Sequence, residues 1–249
     1  MDSVFSEASS VEISKLLILA PQGAEYQSVV GAIKNIPHPP VILAIPVGNL
    51  AVTKCLQDWR QINPGFLPTG VILMGLGGSL SAEFGLGQAV LLESCLNYQN
   101  NQADQEKQSD RALTDWVQQK LGQNIRRVQG LTSDRVITDA SEKQELGKNF
   151  NRQVVEMEGW AVLKFFNELG MPATIIRVIS DEAEQSLPDL SKIYNSQGKL
   201  NAIALTFALG KKPIAGYKLI VASLKSLKIL NQITRKLFSS SLKGDDCDP

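Results

Sequence analysis

The sequence predicts an α/β fold built on a largely parallel sheet, and three observations carry that prediction. Short apolar runs, Leu16 to Ala20, Val41 to Ile45 and Gly70 to Met74, alternate with helical stretches, Ala24 to Ile33 and Leu50 to Trp59. That is the strand-helix rhythm of parallel sheets. The run Ile175-Ile176-Arg177-Val178-Ile179 is β-branched without polar alternation, as in a central strand covered on both faces. Finally, Pro, Gly and Asn cluster between the runs, where turns must fall.

Taken in order, Pro21-Gln22-Gly23 closes the first strand and opens the first helix, and Pro46-Val47-Gly48-Asn49 does the same for the second pair. The third strand runs into Gly75-Leu76-Gly77-Gly78-Ser79, read as a loop whose missing side chains let backbone approach a ligand. Gly85-Leu86-Gly87 turns the chain into a fourth strand, Gln88 to Glu93. Asn97 to Asp110, rich in Gln and Asn and without apolar period, reads as a mobile loop. Helix follows at Arg111 to Leu121, strand at Val128 to Leu131, helix at Glu142 to Phe150 and helix again at Trp160 to Leu169. The stretch from Asp181 to Pro188, with the polar segment continuing to about Gly198, has the length of an active-site flap. Leu200 to Ser239 carries Lys225, Lys228 and Lys236 among Leu and Ile, an amphipathic helix expected to pack on the core or on a second subunit. A peripheral membrane contact through that helix is the alternative. The division expected is a flexible lead-in over 1–14, one domain over 15–210 and a helical extension over 211–249.

A chain of 249 residues is long enough for a sizeable core. Its 25 basic and 25 acidic residues balance, so no global field favours nucleic acid or an anionic membrane, and a compact neutral substrate is the natural partner. Cys55, Cys95 and Cys247 are odd in number and lack metal-ligand spacing, which argues against a disulfide framework and a zinc site and fits a reducing cytoplasm. The N-terminus has no cationic start followed by an apolar stretch, so it does not read as a secretion signal. No run reaches the ~18 uninterrupted apolar residues of a membrane span. The single histidine, His38, lies in Ile36-Pro37-His38-Pro39-Pro40, a surface turn, and excludes a Ser-His-Asp or His-ligated metal mechanism within one chain. Trp59, Trp116 and Trp160 have core spacing.

The chemistry concentrates in two segments, Val155-Glu156-Met157-Glu158-Gly159-Trp160-Ala161 and Arg177-Val178-Ile179-Ser180-Asp181. Both place acids at junctions between apolar runs, and ligands bind at the carboxyl ends of strands in open parallel sheets. By residue type alone, Asp181 is a ligand-facing acid or a helix N-cap. Glu158 is a ligand contact or a first-turn residue favoured by the helix dipole. Glu156 competes with it, and Arg177 is an ion-pair partner.

The pattern V-x-M-E-x-x-A followed by R-x-I-S-D resembles the nucleoside phosphorylase and nucleosidase superfamily, above all the methylthioadenosine/S-adenosylhomocysteine nucleosidases, from about Leu16 to Asp189. The resemblance implies a three-layer α/β/α fold with a mixed central sheet and no cofactor. It implies a homodimer whose pocket a neighbouring subunit completes, and a role in nucleoside metabolism and methionine salvage. By position, Met157 would lie under the ribose, Glu158 would bond the sugar hydroxyls with Arg177 holding it, and Asp181, beside Ser180, would protonate purine N7. Glu25, just after the first strand, would activate water, with Gln22 as its competitor. Gly77 and Gly78 fall in the segment resembling the family's G-S-A-G-G, Val136 in the segment contacting the base, and Val47 on the sugar's far side.

Two departures stand out: Leu76 replaces a family hydroxyl, and Val136 a family aromatic. The first loop and the Gly segment contain no Arg to hold phosphate, so water is the expected acceptor. The expected activity is therefore hydrolysis of a 5'-substituted adenosine with release of adenine. The alternatives are phosphorolysis of a purine nucleoside, adenine release from a lipid-linked adenosine such as adenosylhopane, because the tail resembles that of hopanoid-associated members, and a catalytically silent nucleoside-binding protein.

Overall fold

The computed structural model describes residues 12–188 and 213–239. The lead-in over 1–11, the flap beyond Pro188 and the start of the expected tail helix lie outside the described residues. Eight strands form one sheet: β1 (Leu16–Pro21), β2 (Val41–Ile45), β3 (Gly70–Ser79), β4 (Ala89–Gln99), β5 (Gln102–Gln108), β6 (Arg126–Ser133), β7 (Val154–Glu156) and β8 (Ala173–Asp181). The helices are α1 (Ala24–Ile33), α2 (Asn49–Ile62), α3 (Arg111–Leu121), α4 (Ala140–Phe150), α5 (Gly159–Glu168) and the C-terminal α6 (Pro213–Phe238).

The sheet is mixed. β1 pairs in parallel with β2 and β3, β3 with β8, and β6 with β4 and β7. β3–β7, β4–β5 and β4–β8 are antiparallel. Because β8 bonds both β3 and β4, while β7 and β6 link β3 to β4 on the other side, five strands close into a ring. Closure removes sheet edges there and bends the strand ends around one cavity.

Alternation along the buried strands sorts side chains into two cores. Leu17, Leu19, Val71, Leu73 and Ile175 face one side, with Val52 and Leu56 of α2 and Val162 and Phe166 of α5. Leu16, Ile18, Ile72, Met74 and Ile176 face the other, with Val29 of α1, Val117 of α3 and Leu230 and Leu237 of α6. Helices therefore cover both faces, the three-layer arrangement expected. Local chemistry sets their starts: Asp110 accepts the Leu113 N–H at 2.8 Å and Asp139 the Glu142 N–H at 3.0 Å, N-caps of α3 and α4.

Two expectations are corrected. Asn97 to Asp110 is not a mobile loop: β4 runs on to Gln99, Asn100 and Asn101 turn with φ of 51° and 61°, and β5 returns along it. β5 escaped notice because it is an edge strand whose polar side chains face solvent, so no apolar period marks it. The Gly-rich segment is also not a loop but the second half of β3, pairing Gly75 with Arg177, Leu76 with Val178 and Gly77 with Ile179, with a bulge before Gly78 meets Asp181.

Candidate active site

Arg177 organises one end of the cavity. It is a charged residue in the middle of β8, fully buried, and its Nη2 donates to Glu156 and, at 2.8 Å, to Glu158. Burying a guanidinium is costly without such partners. Glu156 also accepts the Glu158 and Gly159 N–H groups at 3.0 and 2.6 Å, and the Thr132 hydroxyl. It thereby satisfies the first N–H groups of α5, which leaves Glu158 free of that task although Glu158 occupies the N-cap position. The two acids differ in their partners: Glu156 bonds Arg177, Thr132 and the first N–H groups of α5, Glu158 bonds Arg177, and both line the cavity.

Glu25, in the first turn of α1, approaches the same cluster and accepts the Leu76 N–H at 2.6 Å. Leu76, which departs from the family's hydroxyl, thus serves through its backbone. A Cβ on Gly75 would run into Arg177 Nη1 and lie 2.6 Å from Glu25 Oε1, so a side chain here would displace both charged groups. Desolvation raises the Glu25 pKa above the ordinary carboxylate value, against the pull of Arg177 and the Leu76 N–H. Desolvation, then the neighbouring Glu156 and Glu25, pushes Glu158 up to about 8 although Arg177 opposes it. Burial alone would depress the Arg177 pKa, but Glu156, Glu158 and Glu25 together raise it. Three carboxyls around one cation favour retaining a proton near neutrality.

The opposite chemistry sits at the end of β8. Ser180 Oγ donates to Asp181 Oδ1 at 2.9 Å, and Lys143 Nζ donates to Asp181 Oδ2. Asp181 caps no helix among the described residues; its partners are Ser180, Lys143 and the cavity. Gly78 makes room for it, since a Cβ there would lie 2.9 Å from Oδ2.

Between these ends lies a cavity of about 640 Å³, ample for a nucleoside with a further substituent. A model of one family matches the chain over residues 38–207, more than half its length, and the matching description is the phosphorylase superfamily. The chain belongs to the phosphorylase superfamily. Membership makes it an N-glycosidic bond hydrolase or a related phosphorylase. Among solved structures, a 5'-methylthioadenosine/S-adenosylhomocysteine nucleosidase from Helicobacter pylori matches with TM-score 0.67 and 13% identity over 90% of this chain and 97% of that one. Futalosine hydrolase of the same organism matches with TM-score 0.66 and 14% identity over 90% and 97%. The nucleosidase of Campylobacter jejuni matches with TM-score 0.58 and 16% identity over 87% and 98%. At such identities the likeness establishes the fold. A comparison with curated protein sequences finds no match.

The cavity wall carries Glu25, Val47, Gly77, Gly78, Val136, Glu156, Met157, Glu158, Ser180 and Asp181. Apart from Glu156, the rival by residue type alone, those are residues the superfamily resemblance singles out; Arg177 stands behind the glutamates. Gln22 lines it too. Sequence reading missed Lys143 and the wall formed by Leu219, Ser223 and Leu227 of α6. A signal for Lys143 existed: it falls three residues before Leu146 on the buried face of α4, where an apolar residue would be ordinary. None existed for α6, whose approach to the cavity is a tertiary contact across the chain.

Proposed function

We propose that the protein is a purine nucleosidase that hydrolyses the N-glycosidic bond of a 5'-substituted adenosine, of the methylthioadenosine or S-adenosylhomocysteine type, and releases adenine. The observation that carries this reading is one cavity bordered by Asp181 and by a separate Arg177-linked acid cluster, Glu25 and Glu158. Cleavage builds positive charge on the ribose and negative charge on the departing base, so each end needs its own group. Glu158, tethered by Arg177, suits the ribose hydroxyls and the developing cation. Asp181 suits purine N7 and, through its second oxygen, the exocyclic amine of adenine. Val136 and Ile137 supply apolar surface for the base. Glu25, held by the Leu76 N–H and raised in proton affinity by burial, is suited to take a proton from an attacking water.

Water is favoured over phosphate by charge. The sugar end holds three carboxyls against one guanidinium, an unfavourable field for a dianion. The other cations near the cavity are engaged: Arg135 with Glu142, Lys143 with Asp181. The nucleosidases and the hydrolase among the structural relatives agree with this choice. On this reading the protein serves cytoplasmic methionine salvage, as a homodimer.

The test is a panel of methylthioadenosine, S-adenosylhomocysteine, 5'-deoxyadenosine, adenosine and inosine, each with and without phosphate, followed by chromatography. Phosphate-independent adenine from the 5'-substituted substrates is expected. Strict phosphate dependence would transfer the reading to a phosphorylase, and tight binding without turnover to a silent nucleoside-binding protein.

A second reading is favoured by α6. Its Leu219 and Leu227 line the cavity, while Tyr217, Ile220, Val221 and Leu224 are exposed at helical spacing along the adjoining face, with Lys225 and Lys228 exposed nearby. Such a face suits a long apolar 5' substituent, as in a lipid-linked adenosine, presented from a membrane surface. No described helix is long and apolar enough to cross a membrane. Deleting α6 would be a poor test, because Leu230, Leu237 and Phe238 belong to the core. The double variant Ile220→Asp, Leu224→Asp changes only exposed positions and adds charge that an anionic surface repels. On this reading it loses co-sedimentation with anionic liposomes and keeps methylthioadenosine cleavage; wild-type protein that ignores liposomes removes the motive for the reading.

A further inference from the structure

Lys143 is fully buried, yet nothing in the nucleosidase reading calls for it. A lysine that only filled space in α4 would be replaced at lower desolvation cost by leucine or methionine. Instead its ammonium meets three acceptors: Asp181 Oδ2, the Gln185 carbonyl at 3.0 Å and the Glu182 carbonyl at 3.2 Å. Its three N–H donors are thereby matched, which leaves none for a phosphate or a substrate. The two carbonyls lie in the segment directly after β8, so the lysine clamps that segment and the carboxyl of Asp181 to α4 at once.

The other side of Asp181 is arranged differently. The Ser180 hydroxyl has two acceptors within reach, Asp181 Oδ1 at 2.9 Å and the Gly77 carbonyl at 3.3 Å. A hydroxyl carries one proton, so it serves either acceptor but not both at full strength. Oδ2 always faces a donor, whereas Oδ1 faces a donor that has somewhere else to turn.

We propose that Lys143 is a positioning residue that decides which oxygen of Asp181 carries the proton for the leaving base. This inference rests on the nucleosidase reading above. With the ammonium against Oδ2, a proton on Asp181 resides on Oδ1, and the Ser180 hydroxyl turns to the Gly77 carbonyl. As the bond from ribose C1' to purine N9 breaks, its electron pair goes to the base; the Oδ1–H bond breaks and an N7–H bond forms, while water oxygen bonds C1' and gives a proton to Glu25, which later releases it to solvent. Asp181 is left as a carboxylate, Ser180 turns back to Oδ1, and Lys143 keeps its three protons throughout. Water then supplies the proton that restores Asp181 after adenine leaves.

The experiment compares two substrates with the same 5' substituent: the adenine nucleoside, whose base needs N7 protonation, and a 4-nitrophenyl riboside, whose phenolate leaves without a proton. Lys143→Met is expected to lower kcat on the adenine nucleoside by roughly 10²-fold, the scale of a misplaced general acid. KM for the nucleoside and kcat on the nitrophenyl riboside should both stay within about threefold, because neither ribose binding nor water attack runs through Lys143. Lys143→Arg, which keeps the charge and the donors, should recover part of the loss. Should Lys143→Met not fold, Lys143→Gln is read on the same two substrates. Equal losses on both substrates would show a structural role and overturn the proposal, as would normal kcat on the nucleoside. Wild-type protein that cleaves neither would overturn the nucleosidase reading and this inference with it.

Discussion

Asp181→Asn is expected to lower kcat for adenine release by roughly 10³-fold, the middle of the range for loss of a general acid. The substitution keeps volume and shape, so the cavity should persist and KM should change little. Its amide has no transferable proton at neutral pH, so the base must leave as an anion. The amide oxygen still accepts from Lys143 and the amide nitrogen still reaches the Ser180 side, but the charge opposite the buried ammonium is gone. Breaking a buried pair completely costs about 3–5 kcal/mol; with a hydrogen bond retained the expected loss is about 2 kcal/mol. For a chain of this size that is a fall in Tm of roughly 4–8 °C. Steady-state kinetics with a thermal melt read both numbers, and an Asn variant with normal kcat would remove Asp181 from its assigned role.

Asp181 is legible from sequence, whereas Lys143, which sets the cost of changing it, is not. Ser180 and Asp181 stand out because they end a continuous β-branched run, and the strand end is a property of neighbours in the chain. Lys143 comes from a helix 38 positions earlier and meets Asp181 only because α4 packs beside the end of β8. The same distinction separates the rest of the fold. Strands β1, β3 and β8 announce themselves because burial on both faces forces apolar residues at nearly every position of their shared core, Thr174 and Arg177 excepted. β5 is invisible because backbone pairing, which no side-chain pattern encodes, holds it to β4. The glycines of β3 read as a ligand-binding signal in sequence, and in the fold they also clear space for Arg177 and Asp181. Glu156 and Glu158 could be told apart only by family pattern from sequence, because what separates them is which one meets the N–H groups of α5.

Arg177→Leu should be the most destabilising single change near the site, and its size should depend on pH. The guanidinium is fully buried and bonds Glu156 and Glu158, with Glu25 close enough to feel its charge. Without it three carboxyls face one another with no cation between them, and a loss of about 3–5 kcal/mol at pH 8 is expected. Glu25 and Glu158 are raised by burial even in the wild type, Glu158 from 4.5 to about 8, and Arg177 is the group that pulls both down. In the leucine variant they move higher still. A carboxyl whose folded pKa is raised binds protons that the unfolded chain releases, so its contribution is fully present below the unfolded value and is lost as pH rises through the folded one. The variant holds more of these protons than the wild type, so the stability gap between them must widen with rising pH and narrow toward the acid side of the 4.5 to 8 window. Urea unfolding at pH 5, 6.5 and 8 measures the gap directly. A gap independent of pH would mean that Arg177 does not lower the proton affinity of these acids, and would remove it as the group that brings Glu158 toward its charged form at the ribose.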